Sequence, residues 1–237
     1  MKINVLPVPN PDSRNLLKES TVVVVDVLRA SSTILEALTN GAKEIIPVEE
    51  PEQAIKLKSQ YPTGQVILSG ERMGLKIEGF DLGNSPSDFT PETVNGKIIV
   101  MCSTNGTKAI TFASIARKVY IGTFRNLNGI VDKLKSASND IYLLGSGKFG
   151  QFCLEDIVCT GAIIDLMDMK NIECELSDSA ISAQILYQKY KSNLLEMLHM
   201  CEHGKYLISL GFGNDLEYCS RLNTTPRIPE LKNGAIY

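Results

Sequence analysis

One carboxylate interrupts an apolar run: Thr21-Val-Val-Val-Val-Asp26-Val-Leu-Arg29-Ala-Ser31-Ser-Thr33. Left unpaired in such surroundings it would cost several kcal/mol. Its partner is Arg29, a backbone cap or a metal ion, and a metal-ligand or nucleophile role is favoured. The residues that follow, Val-Leu, depart from the Asp-x-Asp of one large phosphatase class, which weakens the nucleophile version. A second acidic point, Glu155-Asp156, follows a glycine loop. Helix neighbours point about 100° apart, so both reach one metal only near a helix end. Both equally suit the positive pole of a helix N-terminus. Oxygen ligands of this kind suit Mg²⁺, which keeps several waters and shares phosphate oxygens. Glu71 and Arg72 directly follow an expected strand. Arg72 and Arg29 could clamp an oxyanion bidentately, or each could sit in a structural ion pair.

Three segments place hydroxyl, amide or glycine residues between a strand and a helix. They are Asp26 to Thr33, Ser103-Thr104-Asn105-Gly106-Thr107, and Gly145-Ser146-Gly147-Lys148-Phe149-Gly150. Taken singly, each reads as helix capping. Together they suggest an anion site, because ligands of open α/β sheets bind beyond the carboxyl ends of strands and helix N-termini favour anions. Two rival motifs stand beside them. Gly145-x-Gly147-x-x-Gly150 matches the dinucleotide fingerprint, with Glu173 and Glu175 downstream at ribose-ligand spacing. This leaves an anion- or nucleotide-binding domain as the alternative function. His199-Met-Cys-Glu-His203 matches the His-x-x-Glu-His of inverted zinc peptidases and holds both histidines of the chain. An exposed pair near a helix C-terminus is the favoured account of it. No cysteine has an arginine at the Cys-x5-Arg spacing, which excludes cysteine-phosphatase chemistry.

The elements that position these residues alternate between short apolar strands and amphipathic helices, which argues for α/β. The pattern predicts strands over 21–27, 44–48, 65–69, 97–102, 118–121 and 140–144. Helices are predicted over 32–40, 51–60, 106–115, 125–136, 154–169, 179–190 and 192–202. The last is expected to end at Gly204, and 171–176 is a further strand candidate. Residues 70–91 read as a long irregular loop, a feature more often functional than not in compact domains. Residues 223–237 read as an irregular tail. The length, 237 residues, fits one domain spanning 1–237, with lobes 1–137 and 138–237 as a subdivision. A formal charge of −3 argues against a broad nucleic-acid footprint. No apolar run approaches membrane-helix length, and the N-terminus lacks a signal-peptide core. A cytoplasmic protein without a membrane partner is therefore expected. Six cysteines without a close pair read as free buried thiols rather than disulfides or a zinc cage. The oligomeric state is open, a homo-oligomer included.

Four motifs in order carry a resemblance: Asp26-Val-Leu-Arg-Ala-Ser-Ser-Thr33; Gly70-Glu-Arg with Gly79-Phe-Asp-Leu-Gly-Asn-Ser-Pro86; Ser103-Thr-Asn-Gly-Thr107; and Gly145-Ser-Gly with Leu154-Glu-Asp156. Over nearly its whole length the chain resembles the 2-phosphosulfolactate phosphatases. The resemblance implies a three-layer α/β/α fold with a largely parallel or mixed sheet. It also implies a Mg²⁺-dependent phosphomonoester hydrolase that converts (2R)-2-phospho-3-sulfolactate to 3-sulfolactate and phosphate, a step of coenzyme M biosynthesis. On that expectation the partner is a small anionic phosphoester. The metal ligands are drawn from Asp26, Glu71, Glu155 and Asp156, and catalysis rests on Asp26, Arg29, Glu155 and Asp156. Substrate binding falls to Ser31, Arg72, Ser103, Thr104, Asn105, Thr107, Ser146 and Lys148.

Overall fold

Val22 to Val25 are wholly buried, and their side chains alternate between two separate apolar clusters. That alternation is the period of a strand covered on both faces. The computed structural model, which describes residues 1–167 and 174–237, places this strand near the middle of one half of a mixed eleven-stranded sheet. The strands are β1 (Lys2–Leu6), β2 (Thr21–Val25), β3 (Glu44–Val48), β4 (Val66–Arg72), β5 (Leu75–Lys76), β6 (Ile98–Cys102), β7 (Lys118–Gly122), β8 (Ile141–Gly145), β9 (Glu175–Leu176), β10 (Glu230–Lys232) and β11 (Ala235–Ile236). Their spatial order is β5-β4-β6-β3-β11-β10-β7-β2-β8-β1-β9.

Two parallel sets make up this sheet, β4-β6-β3 and β7-β2-β8-β1-β9. The β10–β11 hairpin joins them through antiparallel pairings with β7 and β3. Three antiparallel steps in succession make the two sets run in opposite senses. The C-terminal residues, expected to be irregular, are thus the seam of the sheet. Asn233 and Gly234 at the hairpin turn both have positive φ, as a type I′ turn requires, and Asn-Gly is its strongest sequence signal. β8, which follows residue 137, pairs on both sides with strands from the N-terminal half.

Helices cover both faces. On one lie α1 (Ala30–Thr39) and α4 (Gly106–Ala113). On the other are α5 (Leu127–Lys135), α6 (Leu154–Leu166), α7 (Asp178–Tyr190), α8 (Leu194–Met200), α9 (Glu202–Ser209) and α10 (Gly213–Ser220). Between α1 and α4 in the chain come α2 (Pro51–Lys58), which packs Ala54 against Val66, Leu68 and Val100, and the short α3 (Pro91–Val94). The result is a three-layer α/β/α arrangement.

Four expectations need correction. The helix expected over 192–202 is two helices, because Cys201 breaks it with an extended backbone and caps α9. Gly204 does not end a helix but opens α9: a Cβ there would lie 1.7 Å from the Leu198 carbonyl oxygen, so only glycine lets α9 turn so tightly off α8. α10 was unforeseen. β4 runs to Arg72, so Glu71 and Arg72 lie on the strand rather than after it. The end of the helix expected over 154–169 and residues 171–173 of the strand candidate fall outside the described residues, while Glu175–Leu176 of that candidate form β9. Among those described, no helix is long and apolar enough to cross a membrane. No two of the six cysteines are joined in a disulfide.

Candidate active site

The segments that follow β2, β6 and β8, the end of β4 with its following loop, and the start of α9 border one cleft. From them come Asp26 and Arg29; Ser103, Thr104 and Asn105; Lys148 and Phe149; Glu71, Gly74 and Asn84; and His203 and Tyr206.

Asp26 sits directly beyond β2 and is buried. Its Oδ1 accepts the Ala30 N–H at 3.1 Å, and its own backbone N–H donates to Ser31 Oγ at 2.9 Å. The carboxylate thus caps α1, while Ser31 closes the same turn from beneath, away from the cleft. The start of α4 comes so near that a Cβ on Gly106 would lie 2.6 Å from Asp26 Oδ2. Burial pushes the Asp26 carboxyl up to about 6, and the Glu71 charge adds to this. The charge of His203 and hydrogen bonds from Ser146 and Ala30 restrain the rise.

Asp156 lies behind Asp26. Its Oδ1 accepts the Val27 N–H at 2.9 Å, and its Oδ2 accepts Ser146 Oγ at 3.1 Å and the Gly147 N–H at 3.3 Å. It ties the β2 loop to the glycine loop. Burial first, then the nearby Glu155 and Asp26, holds this carboxyl well above the ordinary range. Glu155, also buried, places Oε1 at 3.2 Å from His203 Nδ1. Burial alone would raise it, but the hydrogen bond and charge of His203 bring it below the ordinary value.

Glu71 reaches the cleft from β4. Its Oε1 accepts the Thr104 N–H at 2.6 Å, and its Oε2 accepts the Gly74 N–H at 2.8 Å and the Thr104 hydroxyl at 3.2 Å. Asn105 Oδ1 accepts the Phe149 N–H at 3.1 Å, linking the loops after β6 and β8. Ser103 lines the cleft, and its Oγ accepts the Thr107 N–H at 2.9 Å. Thr107 itself is fully buried, as a cap of α4 rather than a cleft residue. Lys148 lines the cleft with its ammonium 4.3 Å from the centre of the Tyr206 ring, a cation–π contact.

The two arginines part company. Arg29 lines the cleft, donates to Asp215 Oδ2 at 2.7 Å and to the Gly74 carbonyl at 2.9 Å, and stacks 4.3 Å from the Phe212 ring centre. Arg72 turns elsewhere, donating to the carbonyls of Glu49 at 2.6 Å and Glu71 at 3.1 Å and pairing with Glu50. The expected clamp of Arg29 with Arg72 is not assembled.

Sequence reasoning missed three residues. Asp215, on α10, is the buried counter-charge of Arg29 and also accepts from Ser85 Oγ at 2.6 Å. Asn84, in the motif Gly83-Asn-Ser-Pro86, is buried at the cleft and its Oδ1 has no hydrogen-bond partner. His203 reaches the cleft because α9 turns back toward α6. The motif containing it was visible, but its direction depended on the break at Cys201.

The rival motifs meet different fates. Under the glycine loop, a Cβ on Gly145 would lie 2.7 Å from the Pro7 carbonyl oxygen, and one on Gly147 would lie 2.4 Å from Val8 Cγ1. These glycines admit the chain after β1, and Lys148 and Gln151 bridge before α6 begins. Of the expected ribose ligands, Glu175 is exposed on β9 and Glu173 lies outside the described residues. His199 and His203 lie on separate helices, so the two-histidine zinc motif is not formed.

Nor do the four expected metal ligands form one compact group. Among the described residues, the three-membered cluster of potential ligand atoms is Cys153, Glu155 and His203. Asp26 and Glu71 remain as carboxylates lining the cleft, together with Asn84, whose buried Oδ1 has no hydrogen-bond partner. An all-oxygen donor set with one orphaned, buried acceptor fits Mg²⁺, which needs only one or two protein carboxylates when substrate and water complete its shell.

Fold and site together define a class: a three-layer α/β protein whose strand-end loops surround a cleft lined by two carboxylates, Arg29, Lys148 and His203. The chain matches the family described as 2-phosphosulpholactate phosphatase over residues 8–234, and it belongs to that family. It is 37% identical over its full length, and over the full length of the relative, to a protein of Clostridium acetobutylicum named probable 2-phosphosulfolactate phosphatase. A Clostridium novyi protein of the same name is 41% identical over 98% of this chain and 97% of its own. One from Clostridium tetani is 38% identical over all of both chains.

Proposed function

We propose that this protein is a Mg²⁺-dependent phosphomonoester hydrolase that converts (2R)-2-phospho-3-sulfolactate to 3-sulfolactate and phosphate, serving coenzyme M biosynthesis. The observation that carries the reading is the meeting of Asp26, Glu71 and the orphaned Asn84 Oδ1 in one cleft of a chain from this family. The proposed substrate bears phosphate, sulfonate and carboxylate. Asp26 and Glu71 face the same cleft as Arg29 and Lys148, and a bound cation would add to the positive charge that meets the substrate's anions. Asp26, Glu71 and Asn84 would hold Mg²⁺, which when bound neutralises phosphate charge and acidifies a water.

The chain's own groups do the rest. Asp26, lifted to about 6 by burial, is ionised at neutral pH, and as a ligand it would orient the attacking water rather than take its proton. His203, with Nδ1 on Glu155, has Nε2 left for the leaving-group oxygen, to which its cationic form would donate a proton. Lys148 and Arg29 offset the sulfonate and carboxylate, and the backbone at Thr104 and Asn105 lies along the same wall. Ser31, Thr107, Ser146 and Asp156 shape these loops from behind, and Arg72 braces β4 against the segment before α2.

The test is phosphate release in EDTA and after Mg²⁺ addition. Release should require Mg²⁺, Asp26→Asn should abolish it, and His203→Gln should lower kcat at least tenfold with little change in KM. Full activity in EDTA, or wild-type turnover by Asp26→Asn, contradicts the reading.

A further inference from the structure

Behind the cleft lies a second set of ligand atoms with different chemistry. Cys153 Sγ, a Glu155 carboxylate oxygen and a His203 ring nitrogen all lie within 4.8 Å of one another. Cys153 is the residue before α6, Glu155 is in the first turn of α6, and His203 is in the first turn of α9. The glycine at 204 lets α9 begin there. Two separate elements therefore hold the trio in place without a metal.

The separation of His203 Nδ1 and Glu155 Oε1 is 3.2 Å. In a tetrahedron with metal–ligand bonds of about 2.0 Å, two ligands stand about 3.3 Å apart. The distance that makes the hydrogen bond therefore also suits two ligands of one small ion. Sulfur, imidazole and carboxylate select zinc over magnesium, which prefers oxygen alone. A surface opening lined by Phe149, Phe152 and Met200 borders the trio and leaves a fourth position for water. The Cys153 thiol is buried near the carboxylates of Asp156, Glu155 and Asp26, and a dication is the charge that would offset theirs.

We propose that Cys153, Glu155 and His203 form a zinc site distinct from the donor set of Asp26, Glu71 and Asn84, sharing only His203 with the cleft, and that its occupation slows the hydrolase by withdrawing His203. As the sulfur–zinc bond forms, the thiol proton leaves to solvent. His203 Nδ1 exchanges its contact with Glu155 for the metal, and the imidazole no longer serves the cleft. The binding claim stands apart from the hydrolase reading, and the slowing rests on it.

The probe is Co²⁺ added to the full-length protein. One equivalent should give a sulfur-to-cobalt charge-transfer band that Zn²⁺ displaces. The band should vanish in Cys153→Ala, with the circular dichroism spectrum unchanged, and His203→Asn should weaken binding at least tenfold. A band that survives in Cys153→Ala, or no stoichiometric binding, overturns the site whatever the enzyme hydrolyses. With saturating Mg²⁺, one equivalent of Zn²⁺ should inhibit phosphate release by the wild type and not by Cys153→Ala. Equal inhibition of both would place zinc on the cleft carboxylates and overturn the regulatory claim.

Discussion

At the residue scale, Asp26 and Asp156 show how alike two buried carboxylates can look in sequence and how differently they are used. Asp156 is surrounded by three donors and ties two loops together. Asp26 gives one oxygen to a helix cap and faces the cleft. The sequence showed the type of each residue and its place after a strand, so Asp26, Arg29, Glu71, Ser103, Thr104, Asn105 and Lys148 were all legible as cleft residues. It did not show direction. Arg72 alternates to the far side of β4 from Glu71, as neighbours on a strand must, and Ser31 and Thr107 serve helix starts. Asp26 also carries a stability cost with a definite sign. Its folded value of about 6 lies above the ordinary 3.8, so the folded state is not penalised below pH 4 and loses about 3 kcal/mol as pH rises through 6. Asp26→Asn should therefore be more stable than wild type at pH 7 in EDTA and about equal at pH 4. Thermal melts at the two pH values check this, and a neutral-pH melt below wild type would contradict it.

At the scale of elements, close approach explains what the periodicity left out. Gly161 on α6 packs so tightly on α7 that a Cβ would lie 2.0 Å from the Ala183 carbonyl oxygen. Gly161→Ala should destabilise the fold by about 3 kcal/mol, measured by urea denaturation; a change below 0.5 kcal/mol would show that the helices can separate freely. The same kind of contact at Gly204 turned one expected helix into two and aimed His203 at the cleft. The strands β2, β6, β7 and β8 were legible because burial on both faces leaves little room for polar residues, and β3 was legible from its short apolar run. Short elements were not. The Asn233-Gly234 signal was present, but β10 and β11 hold only three and two residues, and their strand character comes from the neighbours they join. Arg29 and Asp215 form a buried pair between the cleft and α10. Asp215→Ala leaves the arginine uncompensated and should cost about 3–5 kcal/mol. A loss under 1 kcal/mol in the same denaturation experiment would argue that solvent reaches Arg29.

At the scale of the whole molecule, the cleft depends on the two parallel strand sets, with β4 and β6 bringing Glu71 and Thr104 to the Asp26 of β2. The C-terminal hairpin joins those sets, and Ile236 is fully buried in the seam. Ile236→Ala should lower stability by about 3 kcal/mol while leaving the cleft's residues in place. The central claim concerns what this cleft accepts. The most direct measurement is phosphate release from 2-phosphosulfolactate beside 2-phospholactate, each with and without Mg²⁺. The account predicts Mg²⁺-dependent release with a kcat/KM for the sulfonate at least tenfold higher, because Lys148 and Arg29 meet a second anion. Equal rates on both substrates would remove the sulfonate from the account, and no release from either would contradict the hydrolase itself.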